Sequence, residues 1–204
     1  MFIVERASVR SFVLCLMASV FAAVSQAQAP SGVPVFEITP VSSTIQFDVK
    51  ASVAITGTFH KWDATLTFTS TDVTTGVLEI KIQADSVDTG SGMKNGKLKG
   101  KDFFDTKQNP LITFRSTKIL QTGPDTFEAD GDFTIRGVTK PEKLTLTVSG
   151  RGTGSGAIKG TMAFDRKQYG MNSGIPFIKI ADRVEVTVDL KAKRVSGPPV
   201  DLKQ

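Results

Sequence analysis

Phe127-Glu128-Ala129-Asp130-Gly131-Asp132-Phe133-Thr134-Ile135 alternates without a break. Phe127, Ala129, Gly131, Phe133 and Ile135 fall on one face, and Glu128, Asp130, Asp132 and Thr134 on the other. A repeat of two is that of a β-strand with one buried and one wet face. Downstream, Gly137 and Pro141 mark a turn, and Leu144, Leu146 and Val148 resume the alternation. The Gly152-x-Gly154-x-Gly156 run then leads into Ile158, Gly160, Met162 and Phe164, and Val184, Val186, Val188 and Leu190 close the series. Upstream of Gly123-Pro124-Asp125, the pattern appears in Ile112, Phe114 and Ser116, in Leu78, Ile80 and Ile82, in Trp62, Ala64, Leu66 and Phe68, and in Ile45, Phe47 and Val49.

These segments predict eight strands joined by short turns, so neighbours run antiparallel. Closure into a barrel removes exposed edges, whereas a two-sheet sandwich satisfies the same periodicity. The fold class is therefore all-β, with an eight-stranded antiparallel barrel as the first expectation. Between the third and fourth strands, Ser91–Phe104 breaks the alternation. It reads as a short helical insertion with Met93, Leu98, Phe103 and Phe104 turned inward, although Gly96 and Gly100 weaken a helix.

The first 27 residues have the composition of an export signal. Arg6 and Arg10 precede an apolar run from Phe12 to Val24, and Ser25-Gln26-Ala27 supplies a small-x-small site. The run is short for a membrane span of ~20 residues. Cleavage after Ala27 is expected to release a periplasmic chain with a barrel at 28–193 and an untethered tail at 194–204. It would also remove Cys15, the only cysteine, leaving no disulfide, thiol nucleophile or thiolate metal site.

The whole chain carries 25 basic and 20 acidic side chains, a net charge of +5. Such a mild excess without a dense basic stripe gives no footprint for nucleic acid. His60 is the only histidine, so metal sites built from several histidines are excluded. No Gly-x-Ser-x-Gly elbow accompanies it, and no phosphate-binding loop is present. No catalytic residue, metal or cofactor is therefore assigned. A hydrolase or isomerase acting on a hydrophobic substrate stands as the alternative, because carboxylates brought together only by folding are invisible in a sequence.

Inward-facing rings and branched aliphatics dominate what remains. Phe47, Val49, Phe59 and Trp62 in the first part, Leu66, Phe68, Ile80 and Phe104 next, and Phe114, Phe133, Met162 and Phe164 in the second half form the expected lining. Such a lining either surrounds an apolar tunnel for one long molecule or meets across the barrel as a dry core. His60, Lys101, Arg166 and Tyr169 are the candidates for a ligand's polar end. Lys94, Lys97, Lys99 and Lys101 read as a solvated loop or as an attraction to anionic membrane headgroups.

Several motifs are more specific. Phe36-x₆-Ser43-Thr44-Ile45-x-Phe47, Gly57-x-Phe59 and Ala84-Asp85-Ser86-Val87-Asp88-Thr89-Gly90 resemble the YceI-like family. So do Leu98-Lys99-Gly100-Lys101-Asp102-Phe103-Phe104-Asp105, Asn109-Pro110-x-Ile112-Thr113-Phe114 and Phe133-Thr134-Ile135-Arg136-Gly137-Val138-Thr139-Lys140-Pro141. Phe164-Asp165-Arg166-Lys167-Gln168-Tyr169-Gly170-Met171 and Ile180-Ala181-Asp182-Arg183-Val184 extend the likeness from Phe36 to Ala192. The resemblance implies a lipocalin-like barrel with a helical insertion, and a periplasmic or secreted protein holding polyisoprenoids, quinones or similar long amphiphiles as ligand. It also implies homodimers. Val49-Lys50-Ala51 stands where many relatives carry a histidine in the first strand, so the headgroup preference is open.

Overall fold

A computed structural model describes residues 32–52, 54–174 and 179–203; the expected leader, residues 1–27, lies outside them. Ten strands form one antiparallel sheet: β1 (Val35–Ala51), β2 (Ile55–Phe59), β3 (Trp62–Thr67), β4 (Val77–Gln83), β5 (Val87–Asp88), β6 (Leu111–Gln121), β7 (Thr126–Ile135), β8 (Val138–Val148), β9 (Ser155–Asp165) and β10 (Ile180–Ser196). Their spatial order is β3-β4-β6-β7-β8-β9-β10-β1-β2-β5. The sheet curls so that β1 also lies beside β3 at the seam, where no ladder joins them.

The eight expected strands are all present, and β2 and β5 are additional. Both are short, and β2 carries Gly57 at an inward position. A Cβ there would lie 2.4 Å from the Phe47 ring, so the strand gives up an apolar signal to seat that ring. The β7–β8 connection is two residues long. Arg136 and Gly137 have φ of 55° and 73°, and Ile135 pairs with Val138. Positive φ at both central positions matches the strand twist.

The expected helix exists as α1 (Gly92–Lys99), with the Ser91 hydroxyl accepting from the Lys94 N–H. Its apolar content is not as expected. Met93 is 88% exposed, and Leu98 alone packs from the helix against the core. Phe103 and Phe104 are buried, but from the turn beyond the helix.

The end of the chain also differs from the expectation of a free tail. β10 continues to Ser196, and Gly197 (φ 77°) turns the chain back. The Asp201 N–H donates to the Thr71 carbonyl at 2.7 Å. The Lys203 N–H donates to Gln121 Oε1, and Gln121 Nε2 returns a bond to the Lys203 carbonyl, both at 2.8 Å. Leu202 packs on the core. Proline and glycine content signalled a loose segment, whereas one partly buried leucine and these hydrogen bonds hold it down.

Candidate functional site

Inward side chains of the strands stack in three layers along the barrel. The layer next to α1 surrounds a cavity of about 80 Å³. Ile45, Phe47 and Val49 reach it from β1, Phe133 and Ile135 from β7, and Val184 and Val186 from β10. Period-two geometry fixes this set, because residues i and i+2 share a face. Two aromatic triads stiffen the wall. Phe47, Phe59 and Phe104 have centroids 5.7–6.0 Å apart, and Phe133, Phe164 and Tyr169 lie 5.1–5.5 Å apart. These are the separations that tilted and edge-on rings favour.

The middle layer is packed. Ile80, Phe114, Ala129, Leu144, Met162, Val188 and Leu190 are all buried and border neither this cavity nor the next. Gly160 admits the crowding, since a Cβ on it would meet Val188, Leu146 and Leu144 at 2.7–3.1 Å. Beyond this belt, the far end holds a second cavity of about 240 Å³. Phe36, Leu66, Phe68, Ile119, Phe127 and Leu146 contribute to its wall.

The expected lining is therefore divided. Phe47, Val49, Phe59, Phe104, Phe133 and Phe164 line the α1-end cavity, while Leu66 and Phe68 line the other. Ile80, Phe114 and Met162 belong to the belt between them, and Trp62 is half-buried against the core without bordering either space. An apolar tunnel and a dry core were the two expectations; among the described residues the packing gives elements of both, two chambers with a packed partition between them. The cause is size: Ile80 on β4, Phe114 on β6, Met162 on β9 and Val188 and Leu190 on β10 come from separate parts of the curled sheet and fill its middle.

The four candidates for a polar end are not brought together. His60 sits exposed at the β2–β3 turn, 3.5 Å from Asp88. Asp88 is held below the usual carboxylate range by bonds from Asn95 and the Gly90 N–H, with His60 adding to them. Lys101 is exposed, and its carbonyl accepts from Arg136 Nη2 at 2.7 Å. Tyr169 is fully buried and donates to Glu142 Oε1 at 2.8 Å. Burial first, and then that bond, push its hydroxyl pKa well up. It is a closed internal pair, not a headgroup contact.

Arg166 does border the α1-end cavity, but as a bracket. Its Nε donates to the Ala181 carbonyl at 3.1 Å, and its Nη1 to the carbonyls of Ser173 at 3.0 Å and of Met171. Its Nη2 reaches Asp182 Oδ1 at 3.3 Å. One buried cation thus ties the turn after β9 to the start of β10. At the rim stand Lys94 and Lys97 of α1; Lys97 Nζ lies 2.6 Å from Asp102 and 5.9 Å from the Phe103 ring. These two lysines are the cationic groups placed to meet a polar end.

Residues 36–192 match the YceI-like domain. The chain belongs to that family. Among curated relatives, Protein YceI of Escherichia coli O17:K52:H18 is 35% identical over 96 residues, 47% of this chain and 50% of its own. A UPF0312 protein of Pseudomonas savastanoi pv. phaseolicola is 33% identical over 98 residues, 48% of this chain and 51% of its own. This YceI-like chain thus matches about half the length of those relatives. Among solved structures, Burkholderia cenocepacia BcnA superposes with a TM-score of 0.69 at 26% identity, covering 76% of this chain and 99% of BcnA. A polyisoprenoid-binding domain from Saccharophagus degradans shares the fold with a TM-score of 0.61 at 16% identity, covering 79% and 99%.

Proposed function

We propose that this YceI-like protein is a binding protein for a long-chain isoprenoid or similar amphiphilic lipid, and that it breaks no bond in its ligand. The observation that carries this reading is the α1-end cavity itself. Its wall is built from rings and branched aliphatics, and among the described residues the one deep charge is the multiply bonded Arg166, while Lys94 and Lys97 stand at the rim. Such a cavity gives an apolar tail a dry wall and its head a cationic border. Each methylene buried returns about 0.8 kcal/mol before ordering costs.

Family membership supports a lipid-holding role, and the Saccharophagus domain is itself described as polyisoprenoid-binding. The leader at 1–27 directs the chain to the periplasm in this reading. α1, with exposed Met93 beside Lys94 and Lys97, is the face that meets a membrane during loading. The tail first fills the α1-end cavity, and the belt sets how far it reaches.

Binding of a graded series of prenyl alcohols to wild-type protein and Val184→Trp tests this. The added ring fills the α1 end, so affinity falls at least tenfold for every chain length. Equal affinities in both proteins would contradict the assignment.

A further inference from the structure

The larger cavity lies at the end of the barrel away from α1, behind the belt, and the reading above makes no use of it. We propose that it is a second, independent ligand site, for a compact apolar acid such as a short acyl chain or a single ring bearing a carboxylate. Size is the first argument. An engineered apolar cavity of about 150 Å³ accommodates benzene, and this one has about 240 Å³. Separation is the second, since the buried side chains of Phe114, Leu144, Met162 and Val188 stand between it and the α1 end.

The rim supplies the chemistry. Arg151 and Arg194 both border the space. Arg151 donates through Nη1 to the Pro124 carbonyl at 2.9 Å and to Asp125 at 3.2 Å, and Arg194 through Nη1 to the Gly197 carbonyl. Among the described residues, Nε and Nη2 of both arginines meet no acceptor, so each fork retains donors for a carboxylate. The cover is also built in. Pro199, Val200 and Leu202 close one side, held by the Thr71–Asp201 and Gln121–Lys203 bonds. The Gly150–Gly156 loop closes another, with Gly150, Gly152 and Gly154 at φ of 76–77°. Such φ values strain any residue with a Cβ, so glycine holds these three positions and Arg151 is the one long side chain the loop brings to the rim.

Methyl NMR of the full mature chain titrated with octanoate, and in parallel with octanol, tests the proposal. Octanoate is expected to shift the Ile119, Ile158 and Leu146 methyls of the far chamber, with octanol at least fivefold weaker. Ala192→Phe, which puts a ring into this cavity, should weaken the octanoate response tenfold or more; Ala192→Leu serves if the larger ring prevents folding. Ile112 and Ile135, at the α1 end, should keep their response to a prenyl alcohol in either variant. Arg151→Gln should bring octanoate close to octanol. Far-end methyls that do not move, octanol binding as tightly as octanoate, or an Ala192 variant that also abolishes the α1-end response would each overturn it. Because the two sets of methyls are read separately, failure of the lipid reading at the α1 end leaves this test intact.

Discussion

The two ends of the barrel are closed by different means. At the α1 end the wall is drawn together by charge-assisted bonds. Arg166 ties the turn after β9 to β10, and Arg136 ties the Lys101 carbonyl to the Gly170 carbonyl. At the far end the cover is a glycine loop and a returned tail, held by the Thr71 carbonyl and the Gln121 side chain and pinned at the exposed edge by Arg151 and Arg194. The first end is a small, stiff chamber, and the second a larger one behind a light cover. A barrel that alternates regularly along every strand therefore does not enclose a uniform space. The side chains of its middle layer decide whether there is one chamber or two.

Removing the partition is the most drastic way to break that comparison. Phe114→Ala should cost about 3–5 kcal/mol of stability, read by urea unfolding, and should merge the chambers so that longer prenyl chains bind best. A variant with unchanged chain-length preference would show that the belt is not the limit. Arg166→Leu comes next. It takes this donor from the carbonyls of Met171, Ser173, Ile180 and Ala181 and leaves Asp182, among the described residues, with Lys167 alone, and hydrogen bonds to charged groups carry about 1.5–3 kcal/mol. The loss should therefore lie near 3 kcal/mol and fall on the α1-end methyls, with the far chamber unmoved.

Tyr169→Phe is smaller and has a pH signature. Removing the hydroxyl should cost about 1 kcal/mol at neutral pH, because Glu142 loses its donor. Tyr169 keeps its proton in the folded chain to higher pH than when unfolded, where the pKa is about 10. Above that pH the unfolded state alone ionises, so the wild type loses stability as pH rises. The phenylalanine variant should lack that part of the alkaline loss, and identical alkaline limbs would contradict the buried pair. Least of all, His60→Ala should change stability by less than about 0.5 kcal/mol and leave lipid binding as it was, since His60 sits outside both chambers.

Strand identity was legible because alternation survives wherever one face is buried. In the Phe127–Ile135 stretch every residue falls on the face that the alternation assigns, and the strand starts one residue earlier, at Thr126. β2 was hidden because Gly57 replaces the middle apolar residue, and the extent of β1 because Pro40 and the positive φ at Ser42 interrupt its pattern. Six of the expected lining residues do meet at the α1 end, since face and strand are enough to place them. Depth along the barrel axis is what the pattern lacks: Phe114 and Phe133 share the inward face, yet one is partition and the other wall. Arg166 and Glu142 had a usable signal. Each continues an inward series, Met162-x-Phe164-x-Arg166 and Glu142-x-Leu144-x-Leu146, where a charge demands an internal partner.

Native mass spectrometry of the protein purified without added lipid, followed by organic extraction, bears most directly on the lipid assignment. One long-chain prenyl or acyl amphiphile per chain, displaced in the Val184→Trp variant, is the expected result. Protein recovered empty, and remaining so when offered such lipids, would contradict it.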